Sequence, residues 1–126
     1  MRLPRTMRMR SRQEFARVRE EGRSYPGRFF VLGVLEDEDL GEGIRFGVIL
    51  TRKVGKAHER NRVRRRLKGL LSDFGGQIVP GHWLVFVGRR PSANCSFAQL
   101  RHDWVRLGRK AGILSSDPAA PEVNPL

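Results

Sequence analysis

Apolar residues recur along the chain with two periods, and the changes between them sketch a fold. Ile44, Phe46, Val48 and Leu50 alternate with Arg45, Gly47, Ile49 and Thr51, the two-residue period of a strand. Trp83, Val85 and Val87 alternate with Leu84 and Phe86 in a second strand, stopped by Arg89-Arg90-Pro91. Phe29 to Leu35 is apolar almost without a break, which predicts a strand buried on much of both faces. Only the acidic loop Glu36–Glu42 and Gly43 separate it from the strand at Ile44, so the two are expected to form an antiparallel pair.

Helical spacing appears elsewhere. Val63, Leu67, Leu70, Leu71 and Phe74 form one stripe on a helix over about 57–74, ended by Gly75-Gly76. Ser11 with Glu14, and Ser96 with Gln99, are capping boxes. The first opens a short helix with Phe15 and Val18 inward and Gly22 as its stop. The second opens a helix carrying Phe97, Leu100, Trp104 and Leu107, ending near Gly112. A further short strand fits near Arg23–Arg28. The order predicts an α+β two-layer sandwich over residues 11–113. Residues 1–10 read as a loose basic arm, and 114–126, with Pro118, Pro121 and Pro125, as a disordered tail.

Charge changes this picture most. Six of the nine residues from Arg60 to Lys68 are Lys or Arg. Residues 51–70 hold nine Lys/Arg against Glu59 alone, in a chain of net charge +12. Residues 1–28 carry nine Arg against three Glu, whereas 29–50 are net acidic. Cations packed this densely repel one another, and a polyanion is the usual compensation. A solvated face of i,i+4 ion pairs would need acids in register, and only Glu59 and Asp73 lie near.

Taking Leu67 as reference, at about 100° per residue, Val63, Leu70, Leu71 and Phe74 fall within about 60° of it. Asn61, Arg64, Arg65 and Lys68 occupy one flank, and Arg62 and Arg66 the other. Arg60 lies in line with the stripe, so it reaches solvent only where the helix start overhangs the sheet. The buried stripe would fix the helix while guanidinium forks, suited to phosphate, face outward. Asn61 can donate to and accept from a base, a ribose hydroxyl or backbone.

The remaining composition excludes more than it assigns. A single cysteine, Cys95, rules out an internal disulfide framework and fits a cytoplasmic location. No apolar run approaches the ~20 residues of a membrane span, nor is there a secretory signal, so no membrane partner is expected. His58, His82 and His102 lack ligand spacing, the acids of 36–42 sit in a polar loop, and Gly75-Gly76 lacks a phosphate-loop Lys. No catalytic residue and no protein metal site are therefore expected.

The segment Thr51-Arg52-Lys53-Val54-Gly55-Lys56-Ala57-His58-Glu59-Arg60-Asn61-Arg62-Val63-Arg64-Arg65 resembles the signature of the bacterial ribonuclease P protein component. Glu14-Phe15 with Gly22-Arg23, Arg28–Leu32, Arg45–Val48 and Leu84–Pro91 are similar to its flanking elements. The likeness spans roughly residues 8–113. It implies a ribosomal protein S5 domain 2-like sandwich with a left-handed βαβ crossover. It implies a protein subunit of an endoribonuclease whose catalytic groups and Mg2+ reside mainly in an RNA. Its partners would be that catalytic RNA and precursor tRNA, with no obligate protein partner. The resemblance puts Arg60, Asn61, Arg62, Arg64, Arg65 and Lys68 against the catalytic RNA. Phe15, Arg19, Arg52, Lys53 and Lys56 would lie at a cleft for the single-stranded 5′ leader, with Arg89 and Arg90 as further RNA contacts. Arg19 and Gly33 stand where the family often has aromatics. Phe15 also fits a plain core position.

Two other readings stay open at this level. A structural RNA-binding protein of similar fold would copurify with ribosomal RNA and leave tRNA processing untouched. A DNA-binding module would prefer duplex DNA, although a sheet covering Val63 and Leu67 would obstruct a major-groove helix.

Overall fold

The computed structural model describes residues 8–115. Its helices are α1 (Arg12–Glu21), α2 (Ala57–Asp73) and α3 (Phe97–Lys110). Its strands are β1 (Arg23–Pro26), β2 (Phe30–Glu36), β3 (Ile44–Ile49) and β4 (His82–Gly88). They form one mixed sheet in the order β1-β2-β4-β3.

Both capping boxes are formed: Ser11 Oγ accepts the Glu14 N–H, Ser96 Oγ accepts the Gln99 N–H, and each partner side chain returns to the cap backbone. The short strand near Arg23 is β1. The expected pairing of β2 with β3 does not form: β4 inserts between them, antiparallel to β2 (Phe30 opposite Gly88) and parallel to β3 (Ile44 opposite His82). β4 is buried over four consecutive residues, Trp83 to Phe86, and a strand apolar on both faces belongs in the middle of a sheet. α2 makes the crossover between the parallel neighbours β3 and β4.

The pleat divides the core. Phe30, Leu32 and Val34 of β2, Ile44 and Phe46 of β3, and Leu84 and Phe86 of β4 face α2 and α3. There they meet Val63, Leu67, Leu70, Leu71, Leu100, Trp104 and Leu107. Phe30, Phe86, Trp104 and Phe74 stack in a tilted and edge-on chain, with centroids 5.3 to 6.1 Å apart. This is the α+β sandwich the pattern predicts. On the other face Leu35, Trp83 and Val85 pack with Val18 of α1 and with Met9. Val31 and Gly33 on that face are half-buried while Leu35 is buried, so β2 is buried from Phe30 to Val34 on the helix-layer face and in part on this one.

The domain is longer than expected at both ends. Met9 is buried and its N–H donates to the Phe46 carbonyl at 2.7 Å, while Arg8 bridges the edge of β3. Residues 8–10 are thus part of the body rather than a free arm. Leu114 is buried and pairs with Ile78, and the Ser115 N–H donates to the Gln77 carbonyl. The rest of the expected arm and tail lies outside the described residues.

Candidate nucleic-acid interface

The apolar stripe of α2 orients every cation on it. Val63 and Leu67, at 1% and 0% exposure, clamp the helix to the sheet and turn its two flanks differently. On the flank toward β3, Arg64 Nη1 donates to Asn61 Oδ1 at 3.0 Å, and both residues remain on the surface. One turn on, Lys68 meets Arg8 and Arg64 around a notch of about 140 Å³ that also touches Phe15 and Gly47. Burial, and then the charges of Arg8 and Arg64, hold the Lys68 ammonium below the ordinary lysine value. Three cations converging without an acid among them form a seat for negative charge.

The opposite flank is partly committed to the fold. Arg62 Nη2 donates to the Ala93 carbonyl at 2.6 Å, and Arg66 Nη1 to the Cys95 carbonyl at 2.9 Å. They tie α2 to the loop between β4 and α3. Arg65 is exposed; Arg60, in line with the stripe, is half-buried. The cations close in sequence therefore divide into an outward set, Arg64, Arg65 and Lys68, and a set with structural duties.

A cleft of about 270 Å³ opens on the α1 face of the sheet. Phe15, Val18 and Arg19 of α1 form one wall; Val31, Gly33, Ile49, Val85 and Val87 form the floor. Gly33 keeps that floor low. Phe15 borders both this cleft and the cationic notch, and its ring lies directly over the backbone of Gly47. Arg19 is the charged residue of the lining. Arg52, Lys53 and Lys56 do not line the cleft; all three are exposed in the segment joining β3 to α2. Ile49 and Val87 end their strands on the same side of the sheet, so that segment, Arg89 and Arg90 lie beyond the cleft's open end. Arg89 Nη1 donates to the Gly27 carbonyl at 2.9 Å, and Arg90 Nε to the Lys53 carbonyl at 3.4 Å, the latter at the limit of a useful bond.

Two of the acids are held by bonds within the fold. Glu14 accepts the Arg10 backbone N–H at 2.6 Å, which holds its carboxylate below the usual range against the opposing effect of burial. In the acidic loop Asp37 accepts from Trp83 Nε1 at 2.9 Å, from the Asp39 N–H at 3.0 Å and from Arg17 Nη1 at 3.0 Å. The Trp83 bond leads in holding its carboxyl low. That loop, expected to be a polar connection, thus has one member pinned to the sheet. Among the described residues no group of three His, Cys, Asp or Glu side chains could hold a metal ion. Cys95 is buried, and burial raises its thiol pKa. No described helix is long and apolar enough to cross a membrane.

The sequence reading missed Arg8 and the floor residues Val31, Ile49, Val85 and Val87. A signal for the floor existed: two strands apolar on both faces, with one short helix left to cover the second face.

A mixed sheet with an outward cationic helix and a half-covered apolar cleft defines a small basic α+β domain equipped to hold a polyanion. The chain belongs to the ribonuclease P family of protein components, a tRNA-processing family; the Ribonuclease P model matches residues 3–112. The ribonuclease P protein component of Syntrophomonas wolfei is 31% identical over 113 residues, covering 90% of this chain and 93% of that one. That of Chloroflexus aggregans is 34% identical over 118 residues, covering 93% and 86%. The RNase P protein structure from Thermotoga maritima superposes with a TM-score of 0.72 at 26% identity, covering 81% of this chain and 96% of that one. The Staphylococcus aureus structure, at 19% identity, has a TM-score of 0.80 with coverage of 86% and 98%, a likeness of fold.

Proposed function

We propose that this chain is the protein subunit of a cytoplasmic endoribonuclease that removes the 5′ leader from precursor tRNA. The outward flank of α2 (Asn61, Arg64, Arg65 and Lys68) docks on the catalytic RNA, with Arg60 and Arg62 at its margin. The cleft holds the single-stranded leader. Its apolar floor tolerates any base, Phe15 offers a ring edge, and Arg19 supplies a guanidinium for a phosphate or for stacking. Arg52, Lys53, Lys56, Arg89 and Arg90 would meet the strand where it leaves the open end.

The observation that carries this reading is the adjacency of cleft and notch across one residue, Phe15, so that an unpaired strand and a folded RNA can be held side by side. Bringing two polyanions together costs repulsion, which the cations offset. The hydrolytic chemistry then belongs to the RNA and to Mg2+ held on RNA phosphates. Leader cleavage by the catalytic RNA, measured across a Mg2+ titration, should reach half-maximal rate at lower Mg2+ when the protein is present. An unchanged titration would count against the assignment, and copurification with ribosomal RNA alone would favour the structural reading.

A further inference from the structure

Cleft and notch use α1, the sheet face beneath it and one flank of α2, yet a second cationic surface lies elsewhere. α3 buries Leu100, Trp104 and Leu107 against the sheet face opposite α1, so its outer side looks away from the cleft. That side carries His102, Arg106, Arg109 and Lys110, all exposed. The one acid of the helix, Asp103, is 3% exposed and committed: it accepts the Phe29 N–H at 2.9 Å and Arg106 Nη2 at 3.1 Å. Among the described residues Arg109 and Lys110 have no side-chain hydrogen bond or ion pair.

Between α3 and the turn joining β1 to β2 lies an open cavity of about 460 Å³, roomier than the cleft. Arg28, Phe29, Gln99, His102, Asp103 and Arg106 line it, and the Asp103 carboxylate there is the one already bonded to the Phe29 N–H and Arg106. The Arg28 guanidinium sits over the Phe29 ring, 5.4 Å from its centroid, while Arg28 itself is exposed. A guanidinium plane backed by an aromatic ring is a platform for an unstacked base. From His102 to Lys110 the helix advances about 12 Å, enough to meet more than one phosphate of a strand.

We propose that the outer face of α3, with Arg28, is a second RNA-docking surface, which takes the backbone and one unstacked base of a segment distinct from the one on α2. Chemistry favours RNA over an acidic peptide here, because most of the cations are arginines, whose planar forks match phosphate and stack on bases. The two surfaces lie at opposite edges of the helix layer, α2 beneath β3 and α3 beside the β1–β2 turn, so the protein bridges two RNA segments. The inference rests on the proposed function only in taking RNA as the partner.

The test uses the full chain, a folded bacterial ribonuclease P RNA transcript, and the triple variant Arg28→Gln/Arg109→Gln/Lys110→Gln, none of whose three residues is ion-paired among the described residues. The slope of log affinity against log salt should become shallower by about two to three, at about 0.7–0.9 for each phosphate that the variant no longer neutralises. Hydroxyl-radical footprinting should lose one protected patch, while a second patch, removed by Arg64→Ala, persists. The melting temperature should not change. A wild-type slope and footprint in the triple variant would overturn the inference, as would a uniform weakening of every protected patch. Unchanged RNA binding with lost affinity for polyglutamate would assign the face to an acidic protein and overturn it equally. If the wild-type chain itself protects no RNA, the proposed function falls, a result distinct from the selective failure of α3.

Discussion

Gly47→Ala should damage the cleft through one side chain, and the damage should vanish when that side chain is removed. A Cβ at position 47 would lie 2.5 Å from Phe15 Cζ, closer still to Cε1, and 3.2 Å from Met9 Sδ. Carbon atoms pack best at about 3.5–4.0 Å, so the ring must move by about 1 Å or more. Met9 and Val18 fill the space beside it, which leaves displacement into the cleft or a lift of α1. Overpacking of this kind costs about 1–3 kcal/mol. Alanine returns about 0.4–1 kcal/mol by restricting the unfolded chain. The net loss of about 0.5–2 kcal/mol should lower the melting temperature by about 2–8 °C for a domain of this size. Affinity for a short single-stranded oligoribonucleotide, followed by fluorescence anisotropy, should fall, while binding of folded RNA through α2 persists. In a Phe15→Ala background the same substitution should be neutral or stabilising, a coupling of about 1–3 kcal/mol in a double-mutant cycle. If Gly47→Ala costs the same in both backgrounds, Phe15 does not rest on that backbone and the cleft wall is built otherwise.

Leu67→Ala, at a fully buried position, should cost about 2–5 kcal/mol in denaturant unfolding; an unchanged midpoint would refute the clamped stripe. Arg64→Ala should weaken RNA binding and leave the melting temperature alone. Arg62→Ala should lower both, because it removes the donor to the Ala93 carbonyl, a charged bond whose loss costs about 1.5–3 kcal/mol; identical melting curves for the two variants would dismiss the division of the array. Acid should expose Asp37: its folded value lies below the ordinary 3.8, so its contribution is complete above that value and is lost as pH falls through the lower folded one. Melting temperature should therefore drop less steeply below about pH 4 in Asp37→Asn than in the wild type; parallel acid curves would show that the carboxylate is not specially held. Cys95, buried and raised, should react with a thiol reagent only as fast as the chain opens, which a comparison with the unfolding rate checks.

What could be read in advance was local. The two capping boxes, the stripe from Val63 to Phe74 and the alternation in β3 and β4 each lie within a few residues, and each reappears in the structure. The pairing of β2 depended instead on a strand some fifty residues later, and the shortest loop suggested the wrong neighbour. The duties of Arg62 and Arg66 were hidden for the same reason, since their acceptors are backbone carbonyls 31 and 29 residues away that leave no mark on side-chain pattern. Arg8 reaches Lys68 only because Met9 is docked on β3.

The cleft itself follows from a mismatch of sizes. α1 has ten residues and so runs about 15 Å, with a diameter of about 10 Å. The seven-residue strands β2 and β4 run about 23 Å, and four strands spaced about 4.8 Å apart are wider than one helix. One short helix laid on such a face must leave part of it bare. Soluble chains normally place polar residues on a bare face. Here Val31, Val87 and Ile49 keep it apolar, which costs solubility and an edge of stability unless something apolar or aromatic covers it in use. The bases of an unpaired strand do so without regard to sequence, and the cations on the neighbouring elements draw that strand in by its phosphates.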